Sequence, residues 1–302
     1  MKPTLFTKGY IVPTNADEKA KLADITPIDY ISNIINKRVA NKEPKDIGDR
    51  VIVIKAKTAS GKSTVIPPRI YADFKENHVL RGRSIACLQP RVMNAATIPE
   101  QIIEHNPSLK LGDNIGYQTG QISEKSRGGI IFMTKEVLLQ QLKTMQEDKF
   151  MQKYAFIIVD ECHERSLSTD LVLYKLKKFL IRNFAKSECP LILLMSATFD
   201  APKFARYFGG DSVAIVEVEG ASYPISPHFI EVDSLNVIKT TIDTVIQIHT
   251  ENESDYVANA NLREHKLSPI RDILIFIFGA AHGRELAECV FEWGRGALGI
   301  AL

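Results

Sequence analysis

The chain has 302 residues, 45% hydrophobic and 25% charged, with a formal net charge of +2; this suits a globular protein of about two domains with a sizeable core. It excludes a globally basic nucleic-acid binder, so any such site must be a local groove. The four cysteines, Cys87, Cys162, Cys189 and Cys289, contain no CxxC pair, which excludes a disulfide framework or a cysteine zinc site and implies reduced thiols in an intracellular compartment.

MKPTLFTKGYIVP at the start has no apolar signal-peptide core. The longest apolar runs, such as Ile273–Phe278, are far too short to span a bilayer. Residues 1–26 read as an N-terminal arm. Ile28, Ile31, Ile34, Ile35 and Val39 have helical spacing and predict a helix over Pro27–Ala40, followed by a charged loop, Asn41–Arg50. Strands are then predicted at Val51–Ala56, Ser84–Leu88, Gly129–Met133, Tyr154–Val159 and Leu191–Met195. Helical patterns lie between them at Ser63–Phe74, Arg91–His105, Lys135–Met145 and Leu167–Asn183, the first shortened or kinked by Pro67 and Pro68. Such alternation predicts an α/β fold, a parallel sheet between helices, with ligands at the carboxyl ends of the strands. Beyond Gly210 the chain changes: short strands at Val213–Glu219 and His228–Val232, a helix at Val237–His249, a loop at Glu251–Ser268, and a buried strand, Asp272–Phe278. A second α/β domain therefore starts near residue 220 and stops early.

The organising stretch is VIVIKAKTASGKST, Val51–Thr64. A buried strand that feeds a small-residue loop and then a helix turns backbone N–H groups toward an anion. Thr58, Ala59, Ser60, Gly61, Lys62, Ser63 and Thr64 are the candidate phosphate cradle. Lys62 reaches the β- and γ-phosphates and the Ser63 hydroxyl takes a Mg²⁺ position. Ala56 stands where the usual pattern has its first glycine, and Ala59 is a second non-glycine in the loop. Positive φ at either would cost about 1 kcal/mol.

YAFIIVDECH, Tyr154–His163, is a hydrophobic strand ending in adjacent acids. Asp160 is placed to hold Mg²⁺ through water, Glu161 to polarise the attacking water, and His163 to sense the nucleotide. LILLMSAT is another buried strand; Ser196, Ala197 and Thr198 put hydroxyls beside the acids, or only cap a turn. CLQPR places Pro90 and Arg91 at a helix start, where an arginine can meet a nucleic-acid phosphate. Thr134 ends GGIIFMT, and its hydroxyl can cap the next helix, contact phosphate, or both.

The ordered set AKTASGKST, CLQPR, GYQTG, FMTKEVLL, DECHERS and LMSATFDAPKFARYFG resembles the DExH/DEAH-box helicases of superfamily 2, over about residues 27–280. It is most similar to the branch found in large cytoplasmic DNA viruses. The resemblance implies a RecA-like P-loop NTPase domain over 27–219, with a partial second RecA-like domain over 220–302. It implies binding of ATP or another NTP with Mg²⁺ through Gly61, Lys62, Ser63 and Thr64. Asp160 and Glu161 become the metal and water-activating pair. His163, Ser196 and Thr198 couple hydrolysis to strand movement, and Pro90, Arg91 and Thr134 lie on the nucleic-acid track. The implied partner is RNA, with DNA possible and no membrane, and the implied location is intracellular, in host cytoplasm or virion for a viral protein.

One departure is large. Family members close the site with arginines in a QRxGRxGR-type motif of the second domain. This sequence has no such stretch, and the arginines after Phe278 are Arg284 and Arg295. The missing C-terminal half of the helicase core is expected in the complete protein. The preferred reading is the N-terminal part of an ATP-dependent RNA helicase. The competing readings are a DNA translocase or helicase, and a nucleotide- and nucleic-acid-binding module without turnover.

Overall fold

The structure, a computed structural model, describes residues 9–12, 25–57, 60–76, 79–120, 122–124, 128–197, 200–219, 229, 237–258, 273–276 and 279–298. The chain divides into two compact units, Met1–Tyr223 and Pro224–Leu302.

The first unit is one nine-stranded sheet between two helical layers. In chain order its strands are β1 Tyr10–Ile11, β2 Val51–Ala56, β3 Ser84–Gln89, β4 Ile115–Gln118, β5 Ser123–Glu124, β6 Ile130–Thr134, β7 Tyr154–Val159, β8 Leu191–Ser196 and β9 Ala214–Glu219. Its helices are α1 Pro27–Ala40, α2 Lys62–Phe74, α3 Val92–His105, α4 Lys135–Thr144, α5 Glu147–Lys153, α6 Leu167–Asn183 and α7 Ala201–Tyr207. The strand order is β1-β9-β2-β8-β7-β3-β6-β4-β5, with antiparallel pairing only at the two edges, β1 on β9 and β5 on β4.

The period of two that separates the faces of a strand divides the core. From β2, Ile52, Ile54 and Ala56 join the cluster under α1, α2 and α3, while Val51 and Val53 join the cluster under α4 to α7. Leu191, Leu193 and Met195 of β8 face the first layer, and Ile192 and Leu194 the second. A register shift between β3 and β7 leaves Ala155 without a partner, so Ala155 and Phe156 both face the first layer. Helix starts follow their chemistry. Thr26 caps α1 by accepting from Asp29 N, with Pro27 opening the helix, and Ser166 caps α6 by accepting from Thr169 N at 3.2 Å. Arg50 is buried beneath β2, and donates from Nε to Phe184 O and from Nη2 to Lys186 O, both at 2.9 Å.

Several expectations are corrected. α2 runs its 13 residues through Pro67 and Pro68, both buried in the core, so the prolines do not shorten it. Part of the N-terminal arm is a strand, β1, on the edge of β9. The charged loop before β2 contains a 3₁₀ turn, Ile47–Arg50, capped by Asp46. The strand predicted at Val213–Glu219 is present as β9, which pairs in parallel with β2 in the first sheet.

In the second unit, α8 spans Val237–Ala258 and α9 spans Ala280–Leu298. α8 lies against α9, with Val245 and Leu286 buried. The predicted loop at Glu251–Ser268 is helical at its start, up to Ala258, because residues such as Glu251 and Glu253 have good helix propensity despite their polarity. The predicted buried strand Asp272–Phe278 is not one over its described part, 273–276: no strand among the described residues pairs with it, and Leu274 and Phe276 are 80% and 89% exposed. Apolar composition alone does not bury a segment that lacks a neighbouring ladder. Within His228–Val232, only Phe229 is described, and it is exposed.

Candidate nucleotide site at the strand ends

Parallel pairing brings the carboxyl ends of β2, β8, β7, β3 and β6 to one edge of the sheet. Gly61 precedes α2 with φ +86°, a left-handed conformation that glycine adopts without strain. Ala56 is the last residue of β2, and no positive φ occurs there, so the strain expected for an alanine at this position is absent. Thr64 Oγ1 donates to Gly61 O at 3.1 Å, closing the first turn. Thr58 and Ala59 lie outside the described residues, as does Thr198.

Lys62 opens α2 and is only 3% exposed, with Nζ 3.2 Å from Glu161 Oε1. Ser63 Oγ donates to Asp160 Oδ2. Glu161 N donates to Asp160 Oδ1 at 2.9 Å, and Asp160 N to Leu88 O at 3.1 Å. The acids are thus tied to β3 and to the start of α2. Glu161 has φ +49° and ψ +49°, a left-handed conformation that costs a non-glycine residue on the order of 1–3 kcal/mol and is held by its surroundings. It aims Oε2 at a place where that atom is buried and has no hydrogen-bond partner. His163 Nδ1 lies 3.2 Å from this oxygen, but its hydrogen bond is to Ser196 Oγ, at 3.0 Å. Ala197 follows Ser196 and is buried.

Ser60 Oγ is a second buried oxygen without a partner. Two such atoms, beside a buried ammonium and helix-start amides, are donors and acceptors awaiting a ligand. Ser63 Oγ and the Asp160 carboxylate are hard oxygen ligands of the number Mg²⁺ takes from a protein when phosphates and waters complete its shell. The residues therefore fit a magnesium–nucleotide. They do not support thiolate chemistry: burial pushes the Cys162 thiol up to about 12, and burial with the Asp160 charge raises Cys87 well above its usual range.

On the neighbouring strand ends, Arg91 is exposed at the N-cap of α3, and Pro90 is half-buried. Thr134 occupies the N-cap of α4 but makes no side-chain capping bond, because it is a buried end residue of β6, registered with Gln89. Two partners were not foreseen. Gln89 Nε2 donates to Asp160 Oδ2 at 3.0 Å, and the buried Lys135 Nζ donates to Thr169 Oγ1 at 2.7 Å. A polar residue ending a buried strand was the only signal for Gln89; nothing local marks Lys135. No helix among the described residues is long and apolar enough to cross a membrane.

The family model for the DEAD/DEAH box helicase matches residues 39–206. "Putative RNA Helicase B962L" of African swine fever virus is 36% identical over 301 residues, 95% of this chain and 30% of the viral protein. "Probable ATP-dependent RNA helicase DHX35" of Homo sapiens is 31% identical over 220 residues, 69% of this chain and 30% of the human protein. The chain thus spans about 30% of the length of these relatives. Among solved structures, the crystal structure of Escherichia coli DEAH/RHA helicase HrpB superposes with a TM-score of 0.63 over 87% of this chain and 29% of that one, at 20% identity, a likeness of fold alone. With more than half of its length inside the family model and its first unit folded as a RecA-like α/β sheet, this chain belongs to the DEAD/DEAH box helicase family.

Proposed function

We propose that this chain carries the nucleotide-hydrolysing part of an ATP-dependent RNA helicase. The observation that carries the reading is the strand-end cluster, in which Lys62 meets Glu161, Ser63 meets Asp160, and His163 meets Ser196. Backbone amides at Gly61–Thr64 and the Lys62 ammonium bind the triphosphate, with Thr58, Ala59 and Ser60 completing the loop. Ser63 and Asp160 hold Mg²⁺, whose chemistry is to neutralise charge on the transferring phosphate. Glu161 orients the attacking water and takes its proton, using Oε2, the buried oxygen that accepts no hydrogen bond from the protein.

His163 and Ser196, with Ala197 and Thr198, relay the state of that site to the strand ends. Pro90, Arg91 and Thr134 form the nucleic-acid track, with the exposed Arg91 as the group that reaches a phosphate. The names of the relatives support RNA as the substrate and ATP as the nucleotide, and similarity to a viral protein supports an intracellular setting. Residues 27–219, with the edge strand Tyr10–Ile11 of the N-terminal arm, form the first RecA-like domain, and 220–302 belong to a second.

The test has two stages. Titration of this chain with a fluorescent ATP analogue should show Mg²⁺-dependent binding, and its absence would refute the nucleotide site. Steady-state ATP hydrolysis should rise with single-stranded RNA. Stimulation by DNA but not by RNA would reverse the substrate.

A further inference from the structure

Gln89 ends β3, two residues before Arg91, and is 2% exposed. A carboxylate can only accept, so the Gln89 amide nitrogen is the group that faces Asp160, at 3.0 Å from Oδ2. The main chain joins the same strand ends, through Asp160 N to Leu88 O. Three donors therefore hold this carboxylate: Glu161 N on Oδ1, and Ser63 Oγ and Gln89 Nε2 together on Oδ2.

These donors are not equivalent once a cation is bound. A hydroxyl keeps its proton when it gives a lone pair to a cation, so Ser63 can be a ligand and donate to Oδ2 at once, but it is then shared between the two. The Glu161 amide fixes only the other oxygen. The Gln89 amide nitrogen has no lone pair to offer a cation and only donates to Oδ2, from the end of a buried strand. Hydrogen bonds to a charged group are the stronger kind, and supporting partners of metal ligands typically set metal affinity by 10- to 100-fold.

We propose that Gln89 is a positioning residue that fixes the Asp160 carboxylate for the divalent cation, and that it does so from the strand end that carries Arg91. The inference rests on the reading of Asp160 as the cation-holding acid.

The test uses the 302-residue chain and reads the Mg²⁺ concentration that half-saturates binding of a fluorescent ATP analogue. Gln89→Met keeps length and volume but removes the donor, and should raise that concentration roughly 10- to 100-fold. Nucleotide affinity in EDTA should stay within about twofold, because the donor acts only through the cation. Gln89→Asn keeps the amide but withdraws it by one methylene, and should show the same loss. A packing role predicts the same loss in Gln89→Asn but tolerates Gln89→Met, and a tolerated Met would overturn the proposal.

If Gln89→Met fails to fold, the wild-type side-chain amide signals of Gln89 decide by NMR. They should shift when nucleotide is added with Mg²⁺ and not with nucleotide in EDTA; no difference overturns the proposal. A wild-type chain with no Mg²⁺-dependent binding overturns the site reading and this inference with it. Mg²⁺-dependent wild-type binding that Gln89→Met leaves unchanged overturns this inference alone.

Discussion

Replacing Lys62 by Met separates two roles that one ammonium serves. Lys62 Nζ is 3.2 Å from Glu161 Oε1. At that distance and an effective dielectric constant of about 20, the attraction is about 5 kcal/mol before desolvation. Breaking a buried pair from one side leaves a stranded charge and costs about 3–5 kcal/mol. Glu161 is reached by some water, its side chain being 22% exposed, so solvent screening lowers the expected cost to about 2–3 kcal/mol. For a unit of this size that is a fall in Tm of about 4–12 °C. Nucleotide binding should weaken roughly 10- to 150-fold, the effect of losing a charge-assisted contact of about 1.5–3 kcal/mol.

The two losses part company in the double variant. Adding Glu161→Gln to Lys62→Met removes the stranded carboxylate, so most of the Tm should return, whereas nucleotide affinity should not. Calorimetry without nucleotide and titration with a fluorescent ATP analogue read the two effects. Wild-type nucleotide affinity in Lys62→Met, at any Tm, would refute the phosphate-binding assignment.

Other outcomes follow from the same geometry. Glu161→Gln alone should retain nucleotide binding but lower hydrolysis by about 10²–10⁴-fold, since an amide cannot accept the proton of the attacking water; retention of most turnover would place the base elsewhere. Arg50→Met strands the carbonyls of Phe184 and Lys186, and should cost about 2–4 kcal/mol in a denaturant melt with nucleotide affinity unchanged; a loss below about 0.5 kcal/mol would show those bonds to be replaceable by water. The Glu147 carboxyl is held below its usual range by its hydrogen bond from Arg182 and, after some opposition from burial, by Asn183. A depressed carboxyl stabilises the fold above its ordinary range, and that contribution fades as pH falls through the folded-state value. Glu147→Gln should therefore cost less than about 1 kcal/mol at pH 7, as expected for a partly exposed pair, and nothing once the wild-type carboxyl is protonated. A difference between the proteins that grows toward acid would contradict this sign.

Local physics was enough for much of the first unit. Continuous β-branched and aliphatic runs such as VIVIKA, YAFIIV and LILLMS read as buried strands, and β2 and β7 match the predicted bounds. Ser166 and the apolar spacing after it likewise fix α6 at Leu167–Asn183. Once these strands are parallel, their carboxyl ends share an edge, so the meeting of the GKST loop with the acids was also legible. What the sequence could not decide depends on which strands are neighbours and how a side chain turns. β9 beside β2, the bond from Gln89 to Asp160, the burial of Lys135 and the left-handed turn at Glu161 all join or orient segments that carry no mutual signal along the chain. The exposed residues 273–276 show the same limit from the other side. A strand is made by its partner's hydrogen-bonding edge, and hydrophobicity by itself supplies no partner.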